Sequence, residues 1–145
     1  MALIEVKNVI KTYLSGEDSF NALNNVSLSV ETGEFVAIMG ASGSGKSTFM
    51  NMLGCLDKPN SGEYILDGHN VFELSSDELS EIRNLKLGFV FQGFNLISRT
   101  TSLDNVMLPM IYKGIEEEER LVKAKEALKI VGLEGREHQR PGHVP

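Results

Sequence analysis

Residues Gly40 to Ser47 read GASGSGKS, and every fixed position in that octet has a task around a phosphate group. Glycines let the main chain wrap closely round an anion, so that successive N–H groups point inward. A helix that opens at Lys46 adds the positive end of its dipole. Lys46 is then placed to reach the β- and γ-phosphates of a nucleoside triphosphate, and the Ser47 hydroxyl to ligate Mg²⁺. The pattern G-x-x-x-x-G-K-[ST] fixes four positions, so at average residue frequencies it arises by chance in roughly one chain of this length in a few hundred. The context removes most of that chance. An apolar run of strand type, 34–39, precedes the loop, and a helical pattern follows it.

The elements that must position this loop are legible around it. Leu3 to Val9 alternates loosely and predicts a strand. Ser15 to Asn21 is polar and predicts a loop. Leu23, Val26, Leu28 and Val30 predict a second, half-buried strand. Glu31-Thr32-Gly33 predicts a tight turn into a third strand, 34–39. A helix is expected over 46–56, ended by the breaker cluster 57–62, with a short strand at 63–66 and a turn at Asp67-Gly68. Ser75 and Glu78 have capping-box spacing for a helix to about Asn84. Leu87 to Phe91 predicts a buried strand, closed by Gln92. Thr101 to Asp104 caps a helix through Ile111, with a kink at Pro109. Leu121, Ala124, Leu128 and Val131 fall at helical spacing, and Gly132 is the expected cap.

Bulk composition narrows the function classes. The 145 residues suffice for one domain, with 41% hydrophobic and 23% charged residues, the ordinary globular range. A net charge of −6 lacks the basic face of a nucleic-acid binder. Cys55, alone of its kind and set among leucines, reads as a buried thiol in a reduced compartment. The acidic cluster 116–119 reads as a solvated helix start rather than a metal site. His69, His138 and His143 read as surface residues. No signal peptide is expected, and no apolar run approaches a membrane span, so any membrane role comes through a partner.

Several further motifs carry a family resemblance. Lys11-Thr12-Tyr13 precedes the loop, Ala22 to Leu28 reads ALNNVSL, and GASGSGKST extends to Thr48. Gly88-Phe89-Val90-Phe91-Gln92 reads as a strand ending in a glutamine. Together these resemble the nucleotide-binding subunit of ATP-binding-cassette (ABC) transporters, over nearly the whole chain. The runs 52–59, MLGCLDKP, and 94–97, FNLI, are similar to the branch that serves lipoprotein release and macrolide or bacteriocin export.

The resemblance implies an α/β phosphate-loop NTPase core, preceded by an antiparallel β subdomain and followed by the start of a helical subdomain. The corresponding domain reading is a partial ATP-binding domain over 1–145, with β subdomain and core at 1–92 and helical subdomain from 93. Tyr13 would stack on adenine. Gly40, Ser42, Gly43, Ser44, Gly45, Lys46, Ser47 and Thr48 would hold the phosphates of ATP. Ser47 and Gln92 would contact Mg²⁺, and Lys46 and Gln92 would serve the chemistry. A membrane permease would dock at the glutamine loop and the groove of the helical subdomain. A second nucleotide-binding subunit would complete each site, and the chain would sit in the cytoplasm at the inner face of the membrane.

The family pattern continues into a signature LSGGQ, an acidic strand end with a catalytic glutamate and a switch histidine. None of these occurs in the 145 residues. The expectation is therefore a cassette cut short, poorly soluble alone through an unpaired sheet edge and without hydrolytic turnover of its own. The alternative is a vestigial or frameshifted nucleotide-binding fragment without transport function. Another phosphate-loop enzyme, such as a small kinase or GTPase, fits less well. Its loop would lie nearer the N-terminus, and no Asn-Lys-x-Asp is present to read guanine. The acidic charge also argues against a cassette ATPase of translation or DNA repair.

Overall fold

A computed structural model describes residues 2–16, 18–91, 93 and 95–141. Two compact units divide the chain, residues 1–83 and 84–145.

The first unit is built on a long hairpin. Strand β1 (Ala2–Ser15) pairs antiparallel with β2 (Asp18–Glu31), and β3 (Ser61–Leu66) and β4 (His69–Asn70) complete a sheet of order β2-β1-β3-β4. Both hairpin strands extend further than their apolar alternation indicates. Residues 18–21, expected in a loop, pair with β1, Tyr13 opposite Phe20 and Leu14 opposite Ser19. This end of the ribbon projects beyond the core, with Leu14 and Phe20 exposed, so no buried face is written into its sequence.

Helix α1 (Lys46–Leu53) follows the phosphate loop. It buries Phe49 and Met52, three residues apart on one face, each contributing about 1.5–3 kcal/mol of hydrophobic stabilisation. The helix ends at Leu53, three residues before the expected end, in a Schellman turn. Cys55 N–H donates to Met52 C=O and Leu56 N–H to Asn51 C=O. Cys55 holds the left-handed position (φ 55°) and is buried, as its setting among leucines implies. Tyr64, fully buried, donates its hydroxyl to Leu53 C=O at 2.6 Å, which ties β3 to the end of α1. Asp67 and Gly68 both have positive φ and turn β3 into β4. The Ser75–Glu78 capping box opens α2 (Ser76–Lys86), with both reciprocal bonds formed.

The second unit contains α3 (Ser102–Tyr112) and α4 (Glu117–Ile130). Thr101 and Asp104 form the expected capping box, and α3 continues through Pro109. Asn105 pins the preceding turn, accepting from Ile97 N–H and donating to Thr101 C=O. Leu103, Ala124 and Leu128 form the buried cluster between the two helices. Gly132, at φ 76°, closes α4 in a second Schellman turn.

The two strands expected at 34–39 and 87–91 do not form. Neither run has a ladder partner among the described residues. Phe35 and Val90 are almost wholly exposed, and the rings of Phe89 and Phe91 stack on each other at 5.4 Å. Strand composition expresses fitness for a pleated, half-buried surface, and a strand exists only where a neighbour takes up its N–H and C=O groups. Exposed apolar runs with unpaired backbone favour self-association. Size-exclusion chromatography is expected to show concentration-dependent oligomers, reduced in a Phe35→Ser/Val90→Lys variant; a concentration-independent monomer would count against this.

Gly62 fixes the β1–β3 register. Its φ is 99°, and a Cβ there would lie 2.6 Å from Asn8 C=O and 2.7 Å from Lys7 C=O. Gly62→Ala is expected to lower unfolding stability by about 2 kcal/mol or more, through left-handed strain and a backbone clash. Urea denaturation of the two proteins measures it directly.

Candidate nucleotide site

The phosphate loop is shaped by how closely it approaches β2. Gly45 has φ 89°, and a Cβ on it would stand 2.3 Å from Ala22 C=O. No side-chain residue fits that position, so the loop turns into α1 directly against the sheet. Gly43 also has positive φ, at 79°. Gly45 caps α1 without any side-chain hydrogen bond, and no acidic residue occupies the first turn. The N-terminal amides and the positive dipole end are thus left for an external anion. Lys46 folds back over the loop, its Nζ donating to Gly40 C=O at 2.9 Å and Ala41 C=O at 2.6 Å. Ser44 Oγ lies 3.5 Å from the same ammonium.

A cleft of about 230 Å³ opens beside the loop, lined by Tyr13, Phe20, Asn21, Ala22, Gly43, Gly45, Lys46, Ser47 and Thr48. Of the residues singled out in the sequence, Tyr13, Gly43, Gly45, Lys46, Ser47 and Thr48 therefore share one concavity. Gly40 and Ser44 border it through their contacts with Lys46, and Ser42 lies in the exposed turn of the loop. Gln92 lies outside the described residues.

Sequence reasoning missed the far wall, Phe20 to Ala22, and the anchors of Tyr13. The Tyr13 and Phe20 rings stand 5.8 Å apart at 41°, because the hairpin register sets them opposite each other. That register was hidden once 15–21 read as a loop. The Tyr13 hydroxyl donates to Asp57 Oδ2 at 2.9 Å, and Lys11 Nζ donates to Asp57 Oδ1 at 2.6 Å. The hydrogen bond to Asp57 raises the Tyr13 phenol above its ordinary pKa, with burial adding to it, while Thr48 and Lys11 pull the other way. Burial pushes the Asp57 carboxyl up. The bonds from Lys11, Tyr13 and the Lys58 amide outweigh it and hold the carboxyl below its ordinary range.

The arrangement is an uncapped helix N-terminus and a lysine beside an aromatic wall, a geometry suited to a phosphate. A family model described as ABC transporter matches residues 23–144. The chain belongs to the ABC transporter family. It is 50% identical over 139 residues to the macrolide export ATP-binding/permease protein MacB of Escherichia coli, covering 96% of this chain and 22% of that protein. It is 53% identical over 137 residues to an ABC transporter ATP-binding protein of Methanocaldococcus jannaschii, covering 92% of this chain and 58% of that one. The solved dimer of that cassette, in a post-hydrolysis state with ADP and phosphate, superposes with a TM-score of 0.90 at 49% identity. The match covers 98% of this chain and 63% of the cassette. The fold is thus that of an ABC ATPase cassette in part, and the chain carries part of the family's ATP-binding domain. It spans about a fifth of the macrolide-export relatives.

A depressed carboxyl pKa makes stability depend on pH with a definite sign. Asp57 is ionised in the folded chain at pH values where the unfolded chain, near pKa 3.9, binds a proton. Its contribution is complete above about pH 5 and is lost as pH falls through the folded value. Wild type is expected to exceed Asp57→Asn in urea stability by no more than about 1 kcal/mol at pH 7, because water screens the partly exposed carboxylate. The difference should shrink below about pH 4; a difference that grows on acidification would contradict it.

Proposed function

We propose that this chain is the ATP-binding part of an ABC transporter that couples ATP binding and hydrolysis to export or lipoprotein release through a membrane permease. The observation that carries the reading is the single cleft that joins an uncapped helix N-terminus, Lys46 and an aromatic wall. Its chemistry suits a nucleoside triphosphate. Backbone amides of 43–48 and the α1 dipole meet the phosphates. Lys46 exchanges its loop carbonyls for phosphate oxygens. The Tyr13 face takes the base, a stacking contact of about 1–3 kcal/mol by analogy with aromatic–base pairs. The macrolide-export relatives favour an export role.

A magnesium ion fits the donors present. The exposed Ser47 hydroxyl lines the cleft next to the phosphate positions, and Mg²⁺ characteristically takes few protein ligands beside substrate phosphates. Ser47 and Gln92 are assigned to hold it, where it would neutralise phosphate charge. Lys46 orients the terminal phosphates, and Gln92 serves the attacking water and senses nucleotide state for the permease. The permease docks at the glutamine loop and the groove of the helical unit, with no nucleic acid involved. No described helix is long and apolar enough to cross a membrane, in keeping with attachment at the cytoplasmic face through the permease. A second nucleotide-binding subunit supplies the opposite wall of the site, consistent with the dimeric M. jannaschii cassette.

Two results test this. Titration with ATP and Mg²⁺ should show binding that Lys46→Ala weakens at least tenfold, the scale of a lost charge-assisted hydrogen bond. Steady-state phosphate release by the chain alone should stay near background. Equal ATP affinity in wild type and Lys46→Ala would overturn the assignment of the cleft. Turnover at about 1 s⁻¹ or faster, abolished in Lys46→Ala, would overturn the incomplete-site reading.

A further inference from the structure

Tyr13 is held from the far end of α1. The helix begins at the phosphate loop, and the loop 57–60 starts two residues past Cys55, the left-handed residue of its closing Schellman turn. Asp57 there receives the Tyr13 hydroxyl on one carboxylate oxygen and the Lys11 ammonium on the other. Lys11 Nζ also donates to Lys58 C=O at 2.7 Å and lies 5.1 Å from the centre of the Tyr13 ring. The backbone is tied in parallel. Asn60 N–H donates to Ile10 C=O at 2.8 Å, and Thr12 N–H to Asn60 Oδ1 at 2.7 Å. Residues 10–13 of β1 are therefore fastened to one turn by main chain and by side chain.

The two kinds of fastening do different work. The backbone bonds fix where β1 runs, and they persist whatever residue occupies position 57. The Asp57 carboxylate acts on the ring itself. A tyrosine ring at a strand end is free to turn about its side-chain torsions unless its hydroxyl is held. The exposed Phe20 ring, tilted at 41°, and the Lys11 ammonium over the ring lie beside it without fixing those torsions. The short contact to Asp57 removes that freedom before any ligand arrives.

We propose that Asp57 is a positioning residue for the base of the nucleotide, holding the Tyr13 ring in the orientation in which it lines the cleft. The inference rests on the reading of that cleft as a nucleotide site. Its ligand class is a nucleotide with an aromatic base, as distinct from phosphate alone. Asp57 lies beyond the opposite end of α1 from the cradle, so its direct contact is with Tyr13 and not with the phosphate loop. Pre-orienting a side chain lowers the ordering cost that binding would otherwise carry.

The test compares affinities of the full chain for Mg²⁺-ATP and for inorganic tripolyphosphate, which has the charge and no base. Asp57→Ala is expected to weaken ATP about three- to tenfold and leave tripolyphosphate unchanged. Tyr13→Phe keeps the stacking face but loses the bond, so it should weaken ATP to a similar extent. The double variant should be no weaker than either single one. Asp57→Asn, which keeps an acceptor for the hydroxyl, should restore most of the preference for ATP. If Asp57→Ala does not fold, Tyr13→Phe and Asp57→Asn carry the comparison.

A merely structural role predicts otherwise, with ATP and tripolyphosphate falling together or neither changing, and either result overturns the proposal. Additive losses in the double variant also overturn it. Wild type that fails to bind ATP, or binds it independently of Lys46, sinks the cleft reading itself. Wild type that prefers ATP to tripolyphosphate while Asp57→Ala keeps that preference sinks the positioning role alone.

Discussion

The close approach of the Gly45 backbone to Ala22 of β2 is the constraint on which the remainder of the site depends. At that distance the loop has no room for a side chain and only one path into α1. The path brings the helix N-terminus beside the hairpin, so the first residues of α1 and the hairpin aromatics Tyr13 and Phe20 line one cleft. Were the loop displaced outward by the depth of one methyl group, α1 would lose its seat against β2. Burial of Phe49 and Met52 on α1 adds apolar stabilisation to that placement. Sheet, loop and helix are in this sense a single unit, fixed by backbone contact at one end and by apolar burial along the helix.

Lys46 shows how the cradle is kept in shape. A cluster of inward-pointing amides and carbonyls round an exposed turn has no reason to persist unless its charges are balanced. The Lys46 ammonium accepts that role, bridging Gly40 C=O and Ala41 C=O across the loop. The same three donors are of the kind that suits phosphate oxygens, so an anion could replace the carbonyls without a charge being unmade. The missing cap on α1 has the same logic. Because no side chain fits at position 45, no serine or aspartate can cap the first amides from there, and the glycine leaves them open.

Much of this was legible in the sequence because it is local. The phosphate loop is a contiguous pattern in which each residue type has a backbone reason. The capping boxes at 75–78 and 101–104 and the glycine at 132 are likewise set by neighbours a turn away. What stayed hidden is long-range. The pairing of Tyr13 with Phe20 depends on a hairpin register whose tip has no buried face to announce it. The contact of Tyr13 with Asp57 joins residues 44 apart, and neither type signals the other. The failed strands at 34–39 and 87–91 illustrate the converse error. Their composition anticipates a neighbour, but composition is a local property and pairing is not.

The length of α1 links these levels. Eight residues rise about 12 Å, which separates the Gly40–Ser47 loop at one end of the helix from the Asp57 turn beyond the other. A shorter helix would draw the Asp57 turn under the loop, away from Tyr13. A longer one would carry it past the end of β1. The helix stops where it does because Gly54 and Cys55 take up the cap and left-handed positions of a Schellman turn. Cys55 accepts left-handed backbone at a cost of about 1–2 kcal/mol, which its own burial offsets. The same turn receives Tyr64 from β3 at Leu53 C=O and Arg83 from α2 at Cys55 C=O, at 2.7 Å. The stop that ends α1 is thus also the point from which Tyr13 is anchored, and β3 and α2 converge to keep it in place.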